Sequence, residues 1–262
     1  MSGALLEIEE LRLSFGGDRP FEALAGIGFT MGRERLGIVG ESGSGKSLTG
    51  RSILRLLPPG AALSARRLAF DGIDLLGAGE PTLRALRGRR IGLVLQDPRF
   101  SLNPVMPVGR QIAEAYRAHR RAAPREAREK AIAMLEAVRI REPARVFDLY
   151  PHEISGGMGQ RVMIAMMLAP GPDLLIADEP TSALDVTVAI EVLSILDEQV
   201  SRRGMGLVFI SHDLDLVAGF CDRVLVMERG RIVETCAAAA LESARHPYTR
   251  RLLAARPRLR AP

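Results

Sequence analysis

Tryptophan is absent from the 262-residue chain, cysteine is limited to Cys221 and Cys236, and only Lys46 and Lys130 among 36 basic residues are lysine. Two cysteines exclude a disulfide framework and a four-cysteine metal site. Aromatic residues make up 4% of the chain, so an aromatic in a functional place stands out. No apolar run reaches the roughly 20 residues that a bilayer span needs. The longest, residues 162–177, is broken by Pro170, Pro172 and Asp173. The first ten residues are acidic and lack a secretory signal pattern. These absences predict a soluble, cytosolic chain. A role at a membrane would need other chains to supply the span.

The formal net charge is +5. A basic balance can mark a nucleic-acid partner, but none is expected here. The arginines are spread along the chain and mixed with acids. Their runs (Arg87, Arg89 and Arg90; residues 117–128; residues 250–260) are short. The length fits one large domain or a domain with a subdomain, and 47% hydrophobic residues is an ordinary globular composition.

Residues 5–15 and 21–31 read as two strands joined by a turn at Gly16, Gly17, Asp18 and Pro20. Residues 36–39 form a short apolar strand. A helix is predicted over 46–57, stopped by Pro58, Pro59 and Gly60. Further apolar runs at 91–95, 174–177 and 207–210 show no alternation, which suits strands covered on both faces in a parallel sheet. Residues 224–227 and 232–233 read as a hairpin across Arg229-Gly230. Between Gln96 and Arg161 the pattern changes: residues 111–121 and 125–138 have helical period, which predicts a helical insertion within an α/β domain.

The sharpest motif is Gly40-Glu41-Ser42-Gly43-Ser44-Gly45-Lys46-Ser47, a G-x-x-x-x-G-K-[ST] loop between a strand and a helix. Glycines let the backbone N–H groups turn inward towards phosphate oxygens, and the helix N-terminus adds its positive dipole end. Lys46 suits the β- and γ-phosphates, and the Ser47 hydroxyl suits Mg²⁺. In a chain that almost always uses arginine, a lysine here fits a place for a compact ammonium rather than a planar fork. Residues 174–179 are an apolar strand ending in Asp178 and Glu179. Asp178 suits Mg²⁺, and Glu179 suits polarising a water for attack on a γ-phosphate. Ser155-Gly156-Gly157, before a helix predicted to begin near Gly159 or Gln160, reads either as a second anion cradle or as a plain helix cap. His212, just past the run 207–210, could contact a γ-phosphate, and the Gln96 amide could meet Mg²⁺ or the attacking water.

In this order the motifs resemble those of the ATP-binding cassette family over nearly the whole chain. Gly40 to Ser47 looks like Walker A, Gln96 like the Q-loop glutamine, and Ile154-Ser155-Gly156-Gly157-Met158 like the signature motif. Residues 174–178 look like Walker B, Glu179 like the catalytic glutamate, Ser182-Ala183-Leu184-Asp185 like the D-loop and His212 like the switch histidine. Phe15 lies where the family places an aromatic on adenine. Ile154 and Met158 depart from the usual leucine and glutamine of the signature. Gly159 stands where many relatives are polar or basic, and it is expected to loosen the helix start, since glycine costs about 1 kcal/mol against alanine in a helix interior.

The resemblance implies a P-loop NTPase (RecA-like) α/β core with a mainly parallel sheet, an N-terminal antiparallel β subdomain and an inserted α-helical subdomain. The core would comprise residues 1–95 and 163–235, the helical subdomain 96–162 and a short tail 236–262. ATP and Mg²⁺ are the implied cofactors. Phe15, Gly40 to Ser47, Ser155 to Gly157 and Asp185 would bind nucleotide; Ser47, Gln96 and Asp178 would hold the metal; Glu179, His212 and Gln96 would serve catalysis. The implied partners are a second ATPase subunit in a head-to-tail dimer, two transmembrane permease subunits and a periplasmic or extracellular substrate-binding protein. The implied location is the cytoplasmic face of the inner membrane. Residues 99–107, with Asn103, Pro104 and Pro107, are the expected contact surface for the permeases. Pro151-His152-Glu153, residues 158–165 and 177–188, and His246-Pro247-Tyr248-Thr249 narrow the resemblance to the peptide/nickel importer branch. Its cargo would be a peptide, nickel or a metal chelate. A soluble repair or translation cassette, an exporter ATPase and an unrelated P-loop kinase stand as alternatives.

Overall fold

The computed structural model describes residues 3–16, 21–182 and 184–256, without the side chain of Phe100. Gly17, Asp18 and Pro20 of the predicted turn, and Ala183, lie outside the described residues. In chain order the elements are β1 (Leu6–Phe15), β2 (Phe21–Met31), β3 (Arg35–Val39), α1 (Lys46–Ile53), β4 (Ala61–Ser64), β5 (Arg67–Phe70), β6 (Ile73–Asp74), α2 (Glu80–Leu86) and β7 (Ile91–Val94). They continue with α3 (Val108–His119), α4 (Pro124–Ala137), α5 (Pro143–Val146), α6 (Gly156–Leu168), β8 (Leu174–Asp178), α7 (Val186–Arg203), β9 (Gly206–Ile210), α8 (Leu214–Phe220), β10 (Arg223–Glu228), β11 (Arg231–Ala237) and α9 (Pro247–Ala254). Among the described residues no helix is long and apolar enough to cross a membrane.

The backbone forms two compact units, residues 1–78 with 208–262, and residues 79–207. In the first, β2, β1, β5 and β6 lie in that order with β4 also on β1, and the β1 pairings are all antiparallel. Inward residues of β1 and β2, among them Leu6, Ile8, Leu11, Leu13, Leu24 and Ile27, are fully buried. The same unit holds the strand order β11-β10-β3-β9. There β3 runs parallel to β10, with Val39 opposite Val226, and β10 pairs antiparallel with β11. The turn between β10 and β11 has positive φ at both Arg229 (48°) and Gly230 (74°), the two-residue form whose twist matches a hairpin.

In the second unit β7 and β8 are parallel neighbours, with Val94 opposite Ala177. Their starts are clipped together: the Arg90 carbonyl accepts from the Asp173 and Leu174 N–H groups at 2.8 and 3.1 Å, and the Arg90 guanidinium meets the Asp173 carboxylate at 2.7 Å. Helices α3, α4 and α6 pack on one another around Ile112, Ala131, Leu135, Val162 and Met163, all fully buried. The buried residues of α4, Ala127, Ala131, Met134 and Leu135, fall on one face, which is the helical period seen in the sequence, whereas α6 is buried on most sides.

Several predicted boundaries shift. The helix predicted over 46–57 ends at Ile53. Arg55 takes a left-handed backbone (φ 52°), and its guanidinium donates to the carbonyls of Leu76 and Ala78 at 3.2 and 2.8 Å. Tertiary bonds therefore stop the helix before the prolines do. The helix predicted near Gly159 or Gln160 begins at Gly156. The helices predicted over 111–121 and 125–138 are Val108–His119 and Pro124–Ala137. Residues 238–254, within the expected tail, form a 3₁₀ turn (Ala238–Ser243) followed by α9.

Candidate functional site

The glycine loop joins β3 to α1 in the first unit, as its motif requires. Gly45 is the N-cap of α1, with φ 102°. Gly40 cannot carry a side chain: a Cβ there would lie 2.2 Å from the Met227 carbonyl oxygen and 2.8 Å from Ser44 Oγ. The loop curls around its lysine. Lys46, 5% exposed, donates from Nζ to the carbonyls of Gly40 and Glu41 at 2.7 and 2.9 Å. The Ser44 hydroxyl is buried inside the curl with no partner of its own. A buried unpaired hydroxyl costs about 1–3 kcal/mol, so an acceptor or donor from outside the chain is needed to satisfy it. A glycine loop at a helix N-terminus, an ammonium and an unsatisfied hydroxyl fit a phosphate-bearing ligand. Ser47, half-buried, is the second residue of α1 and adds a hydroxyl in its first turn.

His212 belongs to the same unit. It is exposed and directly follows Ser211, whose N–H donates to the Ile38 carbonyl at 3.1 Å. β3 and β9 are neighbours, so the glycine loop and His212 leave the sheet from adjacent strands. Phe15 ends β1, half-buried, and faces Phe21 of β2 in register.

The second unit carries the other candidates. Beyond the paired Val94 and Ala177, Gln96 and Glu179 each follow by two residues, so both leave at the carboxyl ends of neighbouring parallel strands, where α/β sheets place their chemistry. Gln96 is exposed, Asp178 is 5% exposed and Glu179 is half-buried. Glu179 has φ 49°, a left-handed backbone that non-glycine residues rarely adopt. It is held there by a turn in which the Ser182 N–H and hydroxyl both donate to the Glu179 carbonyl, at 3.3 and 3.1 Å. Strain of this kind gathers at functional sites. Within this unit Asp178 and Gln96 offer a carboxylate and an amide oxygen. These are hard oxygen donors of the type Mg²⁺ takes alongside phosphate.

Ser155 caps α6, its hydroxyl accepting from the Met158 N–H at 3.3 Å. Ser155 and Gly156 are exposed at the helix start, so the capping geometry leaves an open helix N-terminus. At Gly157 a Cβ would come within 2.6 Å of Val188 Cγ1, so α7 passes too close for any side chain. Arg161, near the same helix start, binds Glu191 of α7 at 3.0 Å and the Arg139 carbonyl at 2.9 Å. Asp185 caps α7 through the Val188 N–H at 3.0 Å.

Residues 99–107 also lie in the second unit. Buried Gln111 fixes that loop, accepting from the Asn103 N–H at 2.8 Å and donating to the carbonyls of Asn103 and Met106 at 2.9 and 2.8 Å. A groove of about 380 Å³ opens beside it, walled by Pro98, Leu102, Pro104, Pro151 and Ile154, and Val105 stands 80% exposed.

One residue escaped the sequence reading as part of the site. Tyr248 of α9 is buried, and its phenol oxygen accepts from the Glu41 N–H at 3.0 Å. Burial, the largest influence on it, raises its pKa. The available signal was rarity, since the chain has three tyrosines.

The loop, the acidic strand end and the parallel sheet define a P-loop NTPase built as an ATP-binding cassette. The comparisons agree. The sequence profile of the ABC transporter family matches residues 24–182. The chain is 50% identical over 253 residues to a probable peptide ABC transporter ATP-binding protein of Sinorhizobium fredii, covering 95% of this chain and 76% of that one. It is 45% identical over 257 residues to a dipeptide transport ATP-binding protein of Escherichia coli (strain K12), covering 97% and 79%. Its fold matches that of the dimeric ATP-binding cassette MJ0796 bound to ADP and Pi with a TM-score of 0.80, at 25% identity, over 89% of this chain and 98% of that one. The chain belongs to the ABC transporter family, as an ATP-binding, ATP-hydrolysing subunit.

Proposed function

We propose that this chain powers the import of peptides across a bacterial inner membrane, working at its cytoplasmic face. The observation that carries the ATP reading is the curled glycine loop, with Lys46 at its centre and the unsatisfied Ser44 hydroxyl within. The peptide and dipeptide transport relatives support the cargo class. Nickel or a metal chelate is the other cargo of this branch.

In this reading the N–H groups of Gly43 to Ser47 and the Lys46 ammonium hold the phosphates, and Phe15 supports the adenine. Ser47, Gln96 and Asp178 would hold Mg²⁺, which when bound neutralises phosphate oxygens. Glu179 accepts a proton from the attacking water, and His212 and Gln96 orient the γ-phosphate and that water. Ser155 to Gly157 and Asp185 serve the nucleotide of a second ATPase subunit, in a head-to-tail dimer. ATP then favours the closed dimer because only that state gives it both cradles, and hydrolysis removes the preference. The apolar groove beside residues 99–107 receives one of two permease subunits, and a substrate-binding protein delivers cargo on the far side.

Two substitutions test this. Lys46→Ala is expected to weaken ATP binding, and Glu179→Gln to retain binding while abolishing turnover when assayed with the partner subunits. Wild-type ATP affinity in the first, or wild-type hydrolysis in the second, contradicts the assignment.

A further inference from the structure

The glycine loop is not held by its own strand and helix alone. Two ties come from the far end of the chain. The Gly230 N–H, in the β10–β11 turn, donates to the Ser44 carbonyl at 2.9 Å. The Glu41 N–H donates to the Tyr248 phenol, 207 positions away. The second tie is itself braced. Pro247 starts α9, where a proline's fixed φ suits the first helical position. The His246 ring accepts from the Tyr248 N–H at 3.3 Å, and Glu234 of β11 accepts from the Arg245 N–H at 2.7 Å. Arg251, one turn further along α9, meets Glu228 of β10 at 3.3 Å.

From these contacts we infer that Tyr248 is a positioning residue for the nucleotide loop: its phenol oxygen holds the Glu41 amide, and so keeps the cradle open before ATP arrives. The inference rests on the reading of Gly40 to Ser47 as the ATP cradle. Its physical basis is the freedom the loop would otherwise have. A cavity of about 450 Å³ lies between residues 41–44 and the α9 face made by Tyr248, Arg251, Leu252 and Ala255. A loop released from the phenol has space to sag into that cavity. The ordering that Tyr248 supplies in advance would then fall on the binding step, which weakens affinity without touching the chemical step.

The test uses the full chain and Tyr248→Phe, which removes one oxygen and keeps the buried ring. Amide exchange at Glu41 is measured without nucleotide, ATP affinity by titration with a fluorescent ATP analogue, and hydrolysis at saturating ATP with the partner subunits. Leu253→Ala, which trims α9 without touching the phenol, is the control for general loosening of the helix. Expected are faster exchange at Glu41, an ATP Kd raised about fivefold, as befits one hydrogen bond, and an unchanged saturated rate. Wild-type exchange at Glu41 overturns the inference. So does wild-type ATP affinity in Tyr248→Phe where Lys46→Ala binds weakly, or an equal loss of affinity in Leu253→Ala. If Lys46→Ala binds ATP normally, the cradle reading itself fails, while exchange at Glu41 still reports on the tie.

Discussion

Replacing Gly159 by alanine is expected to stabilise the chain, although the residue directly follows the segment that resembles the signature motif. The first turn of α6 contains three glycines, 156, 157 and 159. The Gly159 N–H makes the first full helical bond, to the Ser155 carbonyl at 2.8 Å, so this position has the energetics of a helix interior. Glycine there costs about 1 kcal/mol against alanine. An added Cβ would meet Pro98 at 3.4 and 3.5 Å and Ile154 at 4.0 Å, which is ordinary packing rather than collision. The gain should therefore be close to the full 1 kcal/mol. Gly157, at the second helical position, has at most that deficit and the opposite outcome, because its Cβ would lie 2.6 Å from Val188 Cγ1. A β-branched residue in the first turn of α7 has little freedom to rotate away. Overpacking costs about 1–3 kcal/mol, which outweighs the propensity gain and leaves a net loss of roughly 1 kcal/mol. Thermal unfolding followed by circular dichroism reads both, at roughly 2–4 °C per kcal/mol for domains of 150–250 residues. Gly159→Ala lowering the midpoint, or Gly157→Ala raising it, would refute the packing argument.

Ser44→Ala should leave the nucleotide-free chain at least as stable, because it removes a buried hydroxyl without a partner, while lowering ATP affinity; weaker stability with unchanged affinity would contradict a phosphate-facing role. His119, at the end of α3, has its pKa lowered, chiefly by burial and then by Arg89 and Arg120. The unfolded chain then binds the proton more readily, so stability rises with pH in this range. The contribution is complete above the ordinary histidine value of about 6.5 and is lost as pH falls through the lowered folded value. His119→Gln should flatten that acid limb of urea-unfolding stability, and an unchanged pH profile would exclude the histidine as its source.

The sequence carried most of the chemistry because P-loop chemistry is local. Eight consecutive residues, Gly40 to Ser47, contain the turn, the ammonium and the helix start, so spacing alone displays them. The run 174–179 works the same way, since a strand buried on both faces leaves acids legible at its end. The helical period of α3 and α4 was readable for the same reason. Short or mixed elements were not: β4 to β6 span only 2 to 4 residues each, too few to show a period. Boundaries also moved where distant groups intervene, as when the Arg55 contacts to Leu76 and Ala78 end α1 early.

Other features depended on approach between segments far apart in the chain. No local pattern says that Gly40 faces the Met227 carbonyl, that Gly157 lies against Val188 while Gly159 has room, or that the left-handed backbone of Glu179 is locked by Ser182. Tyr248 makes the same point: its motif was visible as a run of letters, but its bond to Glu41 exists only because β11 and α9 return to the glycine loop. Residue type and spacing determined which atoms can bind phosphate and move protons, since those are properties of single side chains and short turns. Tertiary structure decided which of those atoms are braced, crowded or left unsatisfied, because burial and close approach are properties of the packed chain.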